Sequence, residues 1–125
     1  MAGVRISRRA REDLEHILEV SLERWGDGGQ ARYRELLEAA LHAIASEPEG
    51  PLTRDRGLLG DRLRSFHLRH ARHAPGVQDP VHVIYYRWTR SALVEVVRIL
   101  HERMDPAAQL DAATQRETPD KKRRL

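Results

Sequence analysis

The sequence has no cysteine at any of its 125 positions. That excludes disulfides, thiolate nucleophiles and cysteine-ligated metals, and it fits a reducing compartment. Lysine is absent before Lys121, so every basic side chain up to that point is arginine, whose planar fork suits bidentate pairing with carboxylate or phosphate. Long apolar runs are missing too: none approaches the ~20 residues that span a bilayer. At the start, Arg8, Arg9 and Arg11 run into Glu12 and Asp13 instead of an apolar leader. These absences lead to the expectation of a soluble, cytoplasmic protein with no membrane partner.

Catalytic signatures are equally sparse. There is no G-x-S-x-G, no H-E-x-x-H and no G-x-G-x-x-G, and "GDGGQ" lacks the Lys-Ser/Thr that would make a P-loop. Ser7, Ser21, Ser46, Ser65 and Ser91 are explained as caps, helix surface or strand. His67, His70 and His73 spell H-x2-H-x2-H. A metal ligand set needs donors converging within about 2 Å of one point, which a strand running into a loop does not guarantee. Solvated loop histidines, no metal and no cofactor are the expectation.

What is present is a strong asymmetry of charge. Residues 1–50 hold seven arginines against ten acids, and residues 51–110 hold ten arginines against six. The front is acidic and the middle basic, which suggests an anionic partner for the middle. The length suits one domain with a core of its own.

The pattern of apolar residues gives an α+β order. "GVRIS" is a short β-prone run ending at Ser7, a good N-cap. Ala10, Leu14, Ile17, Leu18, Ser21, Leu22 and Trp25 form one helical stripe, closed by Gly26 as a C′ glycine. Asp27 and Gln30 have the spacing of a capping box, and a second stripe runs through Tyr33, Leu36, Leu37, Ala40, Leu41 and Ile44 until "SEPEGP" stops it. So short a link forces an antiparallel helical hairpin. Residues 52–61 read as loop. "RLRSFHLR" (62–69) reads as a strand with a bulge, because Leu63 is out of phase with Phe66 and Leu68. Residues 70–80 form a loop, and "VHVIYYRW" and "ALVEVVRIL", joined through "TRS", are strands apolar at nearly every position. The tail after Leu110 lacks an apolar face and is expected to be disordered. The result is β-α-α-β-β-β: a helical hairpin on one face of a small, mainly antiparallel sheet, whose other face stays available.

Arg62, Arg64, Arg69, Arg87, Arg98 and Arg103 lie on or just past three neighbouring strands. Such a cluster suits phosphate or carboxylate, or it protects an edge. Arg98 is different, because "VVRIL" is the most apolar strand and an unpaired buried guanidinium would cost several kcal/mol. It needs a carboxylate. Glu95, three residues away, should face the opposite side of the sheet, so the partner is expected from another element or chain. Tyr85, Tyr86 and Trp88 could stack on bases, but core packing is the expected task of Tyr86 and Trp88.

With these pieces in place, "SRRAREDLEHILEVSLERWG", "ARYRELLEAALHAIASEP", "GLLGDRLRSFHLRH", "VHVIYYR" and "VEVVRILHERMDPAAQL" resemble the RelE/ParE superfamily of bacterial toxins, and its ParE branch more closely. The A-x-x-D-L-x-x-I of Ala10, Asp13, Leu14 and Ile17, the Trp25-Gly26 pair and the "LRSF" of Leu63 to Phe66 add to the likeness, which spans about residues 4–110. Departures are the longer loop at 70–80, Gln109 where relatives often have His, and the longer, more basic tail.

The resemblance implies a toxin domain over residues 1–110 with a tail at 111–125. It implies poisoning of DNA gyrase, and neutralisation by a ParD-like antitoxin with a ribbon-helix-helix N-terminus and an acidic C-terminal segment. Operator DNA would be met only through the antitoxin. The implied target-binding residues are Arg98, His101, Arg103, Met104 and Asp105, and the implied antitoxin-binding residues are Arg62, Arg64, Arg98, Leu18 and Tyr33. Two alternatives stand beside it. One is a RelE-like ribosome-dependent mRNA endoribonuclease, with Arg64, Arg87 and Arg98 over the phosphate and His101 as acid or base; Glu95 is a further base candidate, but it should face away from Arg98. The other is a non-toxic protein-binding module.

Overall fold

The computed structural model describes residues 1–71, 77–89 and 92–110. The elements are β1 (Gly3–Ile6), α1 (Arg8–Ser46), β2 (Arg54–Asp55), β3 (Leu63–His67), a 3-10 turn (Leu68–His70), β4 (His82–Thr89) and β5 (Leu93–His101), with residues 106–110 again helical. The expected disordered tail, the centre of the 70–80 loop with His73, and residues 90–91 of the last link lie outside the described residues.

Ser7 caps α1 as its sequence position predicts, its Oγ accepting from the Ala10 N–H at 3.1 Å. The helix is broken at Gly26, where φ is 73° and ψ −172°, a region essentially reserved for glycine. The chain reverses there. Gln30 Nε2 donates to the Leu18 carbonyl at 2.9 Å, whereas twelve residues of straight helix would separate the two by about 18 Å. The two arms of α1 are therefore the predicted antiparallel hairpin. Gln30 spends its amide on this cross-arm bond and not on the capping box expected with Asp27. The second stripe packs as predicted, with Tyr33, Leu36, Leu37, Ala40 and Ile44 buried. The first ends early: Leu22 is 40% and Trp25 57% exposed, because the reversal carries the chain off the sheet one turn sooner than the periodicity suggests.

The sheet has five strands in the order β1-β5-β4-β3-β2. β1 runs parallel to β5, and the remaining pairs are antiparallel. The two-residue strand β2 falls inside the predicted 52–61 loop, too short to leave a periodic signature. The bulge is not in β3, whose ladder with β4 runs unbroken from Leu63↔Arg87 to His67↔Val83. It lies in β5, where Tyr86 pairs with Val96 and Tyr85 with Arg98, leaving Val97 as the extra residue. The bulge shifts the alternation by one, so Val94, Val96 and Ile99 face the hairpin while Val97 and Leu100 face away.

That second face is the larger correction. Leu63, Val83, Tyr85, Val97 and Leu100 form an apolar cluster of their own, covered by Leu110 and flanked by Leu59. Leu63 is out of phase with Phe66 because it serves this second core. Burying Leu110, 1% exposed, stabilises by about 1.5–3 kcal/mol. The face away from the hairpin is therefore partly closed by the chain's own C-terminal segment.

Candidate functional site

The chain closes the outer edge of β5 in an unusual way. β1 stops at Ile6, opposite Val96. Beyond it the first turns of α1 take over: the Ser7 N–H donates to Val96 O and its Oγ–H to Val97 O, each at 3.0 Å, and the Ile99 N–H donates to Asp13 Oδ2 at 2.9 Å. Asp13 also accepts a fork from Arg98, with Nε to Oδ2 at 2.7 Å and Nη2 to Oδ1 at 2.9 Å. Here is the carboxylate that Arg98 requires, from another element as expected. Arg98 Nη1 turns to the Gln109 carbonyl at 3.5 Å. Because of the bulge, Glu95 and Arg98 stand opposite Arg87 and Tyr85, two residues apart on β4 and so on one face. The expected opposite orientation of Glu95 and Arg98 is thus corrected. Glu95 is taken by Arg5 and, at 3.9 Å, by Arg87.

Beside this pair opens a cleft of about 770 Å³ between the hairpin and the ends of β4 and β5. Trp25, Tyr33, His82, Arg98, His101 and Met104 are among its walls. Tyr33 crosses from the hairpin to the sheet, its hydroxyl 2.6 Å from His82 Nδ1. Burial pushes the phenol up to about 12, with the Glu102 charge adding and a bond to the Val81 backbone opposing. Burial, then the neighbouring His101 and His67, bring His82 down to about 4. At neutral pH the phenol therefore holds its proton and the imidazole is neutral. The His82 and His101 rings meet edge to face at 5.7 Å. His101 Nδ1 accepts from the Arg103 N–H at 3.1 Å and its carbonyl from the Met104 N–H at 3.0 Å, which shapes a tight turn over residues 101–105. Arg103, Met104 and Asp105 are exposed on it.

The other predicted residues are held apart from this end. Arg64 donates to Thr53 Oγ1 at 2.9 and 3.2 Å, Arg62 to the Trp88 carbonyl at 2.8 Å, and Arg87 to the Asp61 carbonyl at 3.3 Å. With Arg56, whose Nε donates to Ser65 Oγ at 3.0 Å, these arginines clip the 53–61 segment to the sheet. Arg64 pairs opposite Tyr86, a hairpin-side residue, while Arg87 is on the other face, so the four residues named for ribonuclease chemistry do not converge. Leu18 and Tyr33 are both buried, at 9% and 4% exposure. His67 bonds Glu102 Oε1 at 2.7 Å and accepts from the Arg69 N–H, and that bond holds the Glu102 carboxyl below its usual range. Among the described residues no three His, Asp or Glu are placed to hold a metal ion, and none of the helices is long and apolar enough to cross a membrane.

Sequence reasoning missed Asp13, His82 and Trp25 as site residues. Asp13 carried a signal, being an acid on the inward stripe of an amphipathic helix. His82 and Trp25 carried none, because only the fold brings them to the cleft.

A family described as the ParE toxin of type II toxin–antitoxin systems matches residues 4–106. The chain is 34% identical over 110 residues to Toxin ParE1 of Caulobacter vibrioides, covering 88% of this chain and 99% of that protein. It is 28% identical over 100 residues to Toxin ParE1 of Mycobacterium tuberculosis, covering 80% of this chain and 89% of that one.

Proposed function

Since the chain belongs to the ParE toxin family of type II toxin–antitoxin systems, we propose that it acts in the cytoplasm as a DNA gyrase inhibitor held inactive by a cognate antitoxin. The observation that carries this is the extent of the match, which runs from β1 through the 101–105 turn, so the whole architecture that presents the turn is shared with that family. Arg103, Met104 and Asp105, with His101 behind them, are the target contacts. Arg98 supports them from below.

The antitoxin is a ParD-like chain whose acidic segment lies along the hairpin and over the cleft. Arg24 and Arg32 line that cleft, and neither forms an ion pair among the described residues, so both are free to meet carboxylates. Arg62 and Arg64 stand toward the other end of β4, bonded to the Trp88 carbonyl and Thr53, and would be met only by a segment that continues well beyond the cleft. Tyr33 lines the cleft and would meet the segment at its wall, whereas Leu18 is buried in the core and supports the hairpin from within. A ribonuclease reading draws less support, because its arginines lie on different faces.

The test is gyrase supercoiling with purified protein. Inhibition near stoichiometric amounts, relieved by the antitoxin encoded beside this chain, is the expected result. Unimpaired supercoiling at large excess would remove the gyrase proposal.

A further inference from the structure

Asp13 belongs to the A-x-x-D-L-x-x-I stretch and has no part in the contacts proposed above. Its carboxylate is nonetheless saturated: Oδ2 accepts from the Ile99 N–H and from Arg98 Nε, and Oδ1 from Arg98 Nη2. The two side chains are only 15% and 7% exposed. A bidentate pair held this far from water is geometrically rigid. Its two attachments also bracket one stretch of chain. Ile99 stands two residues before His101, and Gln109, whose carbonyl receives Arg98 Nη1, stands just before buried Leu110. Between them run the turn bonds of Arg103 and Met104 to His101 and of the Gln109 N–H to the Asp105 carbonyl at 3.3 Å.

We propose that Asp13 is a positioning residue: by holding the Ile99 N–H and the Arg98 fork it fixes both ends of the 99–109 segment and so sets how Arg103, Met104 and Asp105 are presented. The functional consequence rests on the gyrase proposal; the ordering of the segment does not. An isolated structural ion pair would stabilise the domain evenly. A positioning pair stabilises one segment more than the rest, and that difference is measurable.

The experiment is amide hydrogen exchange on the full chain, comparing Asp13→Asn and Arg98→Met with the unsubstituted protein. Asn keeps an acceptor for Ile99 but leaves the guanidinium without a counter-charge, and Met removes the reach to Gln109. Exchange at Met104 and Gln109 is expected to speed up about tenfold or more, while Leu36, Leu37 and Ile84 change by less than about twofold. If the core amides speed up equally, or those at 104 and 109 do not move, the proposal is overturned. Should Asp13→Asn fail to fold, Asp13→Glu retains the charge with a displaced carboxylate, and the same local contrast decides. Gyrase inhibition is read in parallel, with about a tenfold higher inhibitory concentration expected for Asp13→Asn. If the unsubstituted chain does not inhibit gyrase, the gyrase proposal fails, while the exchange data still judge Asp13.

Discussion

The Tyr33 hydroxyl shares a hydrogen bond with His82 Nδ1 at 2.6 Å and ties the helical hairpin to the first residue of β4. The surroundings keep this imidazole neutral: burial, His101 and His67 bring His82 down to about 4, against a partial pull upward from Asp13 and Glu102. The folded state therefore binds fewer protons at this site than the unfolded state. Stability from His82 is complete above about pH 6.5 and is lost as the pH falls toward 4. The shift corresponds to about 3 kcal/mol, reduced to roughly 2 by partial exposure of the ring. Urea midpoints measured from pH 7 to pH 4 should fall accordingly, and His82→Asn should flatten that limb. An equally steep fall in the variant would assign the acid sensitivity elsewhere.

At the other end of the pH scale the same contact predicts a second loss. Tyr33 is pushed up to about 12, so the unfolded chain gives up this proton first and stability declines as the pH rises from 10 toward 12. Tyr33→Phe removes both the alkaline limb and the hydroxyl of this hydrogen bond. It leaves His82 Nδ1 without its phenol, at an expected cost of about 1–2 kcal/mol at neutral pH. Denaturant titrations of the two proteins at pH 7 and pH 10.5 check both parts.

The hairpin is legible in the sequence because two 3.6-residue stripes meet at a glycine, and that glycine does adopt positive φ. The central strands are legible because β-branched residues crowd them. The second core is not. Leu63 and Leu110 announce it only in combination, and Leu110 is brought to the sheet by tertiary structure. The Val96-Val97 doublet in "VEVVRIL" reads in sequence as plain central strand; in the fold it marks the bulge that reverses the alternation. The expectation of target contacts at the 101–105 turn follows from resemblance, and the packing of Asp13 and the Tyr33–His82–His101 chain behind it follows only from geometry, since those residues are far apart in sequence and close in space.

The glycines at the reversal make different demands, and substitution separates them. A methyl group added at Gly26 would meet open space, but the φ there is 73°, so Gly26→Ala should cost about 1–3 kcal/mol through backbone strain alone. At Gly29 the backbone is helical, yet an added Cβ would lie 2.2 Å from the Trp25 Cβ. Gly29→Ala must force the chain around Trp25 to shift. A double change, Gly29→Ala with Trp25→Gly, removes the clashing Cβ and should recover part of the loss, as does not happen for Gly26→Ala with Trp25→Gly. Thermal melts of the parent, the three single variants and the two doubles test the distinction; recovery in both pairs would count against it.

Trp25 also reports on the cleft. It is 57% exposed at the mouth, 6.3 Å from the Tyr33 ring, whereas Trp88 packs against the core. In a Trp88→Phe background the remaining emission comes from Trp25 alone. An antitoxin segment lying over the cleft would desolvate the indole, so its emission should shift to the blue and become less accessible to iodide. Binding with an unchanged spectrum would place the antitoxin elsewhere.

Exposure separates the residues proposed to contact a target from those that hold the fold. Arg103, Met104 and Asp105 are exposed, Met104 at 47%, while Leu110 is 1% exposed in the second core. Arg103→Ala and Met104→Ala remove side chains with little burial behind them, so each should leave the stability within about 0.5 kcal/mol of the parent. If the turn contacts gyrase, the same changes should weaken inhibition about tenfold, because exposed Arg and large apolar groups are where contact energy concentrates. Leu110→Ala has the opposite profile: a cavity among Leu63, Tyr85 and Leu100 costs about 2–5 kcal/mol, and its loss of inhibition should track the fraction unfolded. Stability and supercoiling assays on the three variants decide the matter. Inhibition that survives Arg103→Ala and Met104→Ala together would move the target contact away from this turn.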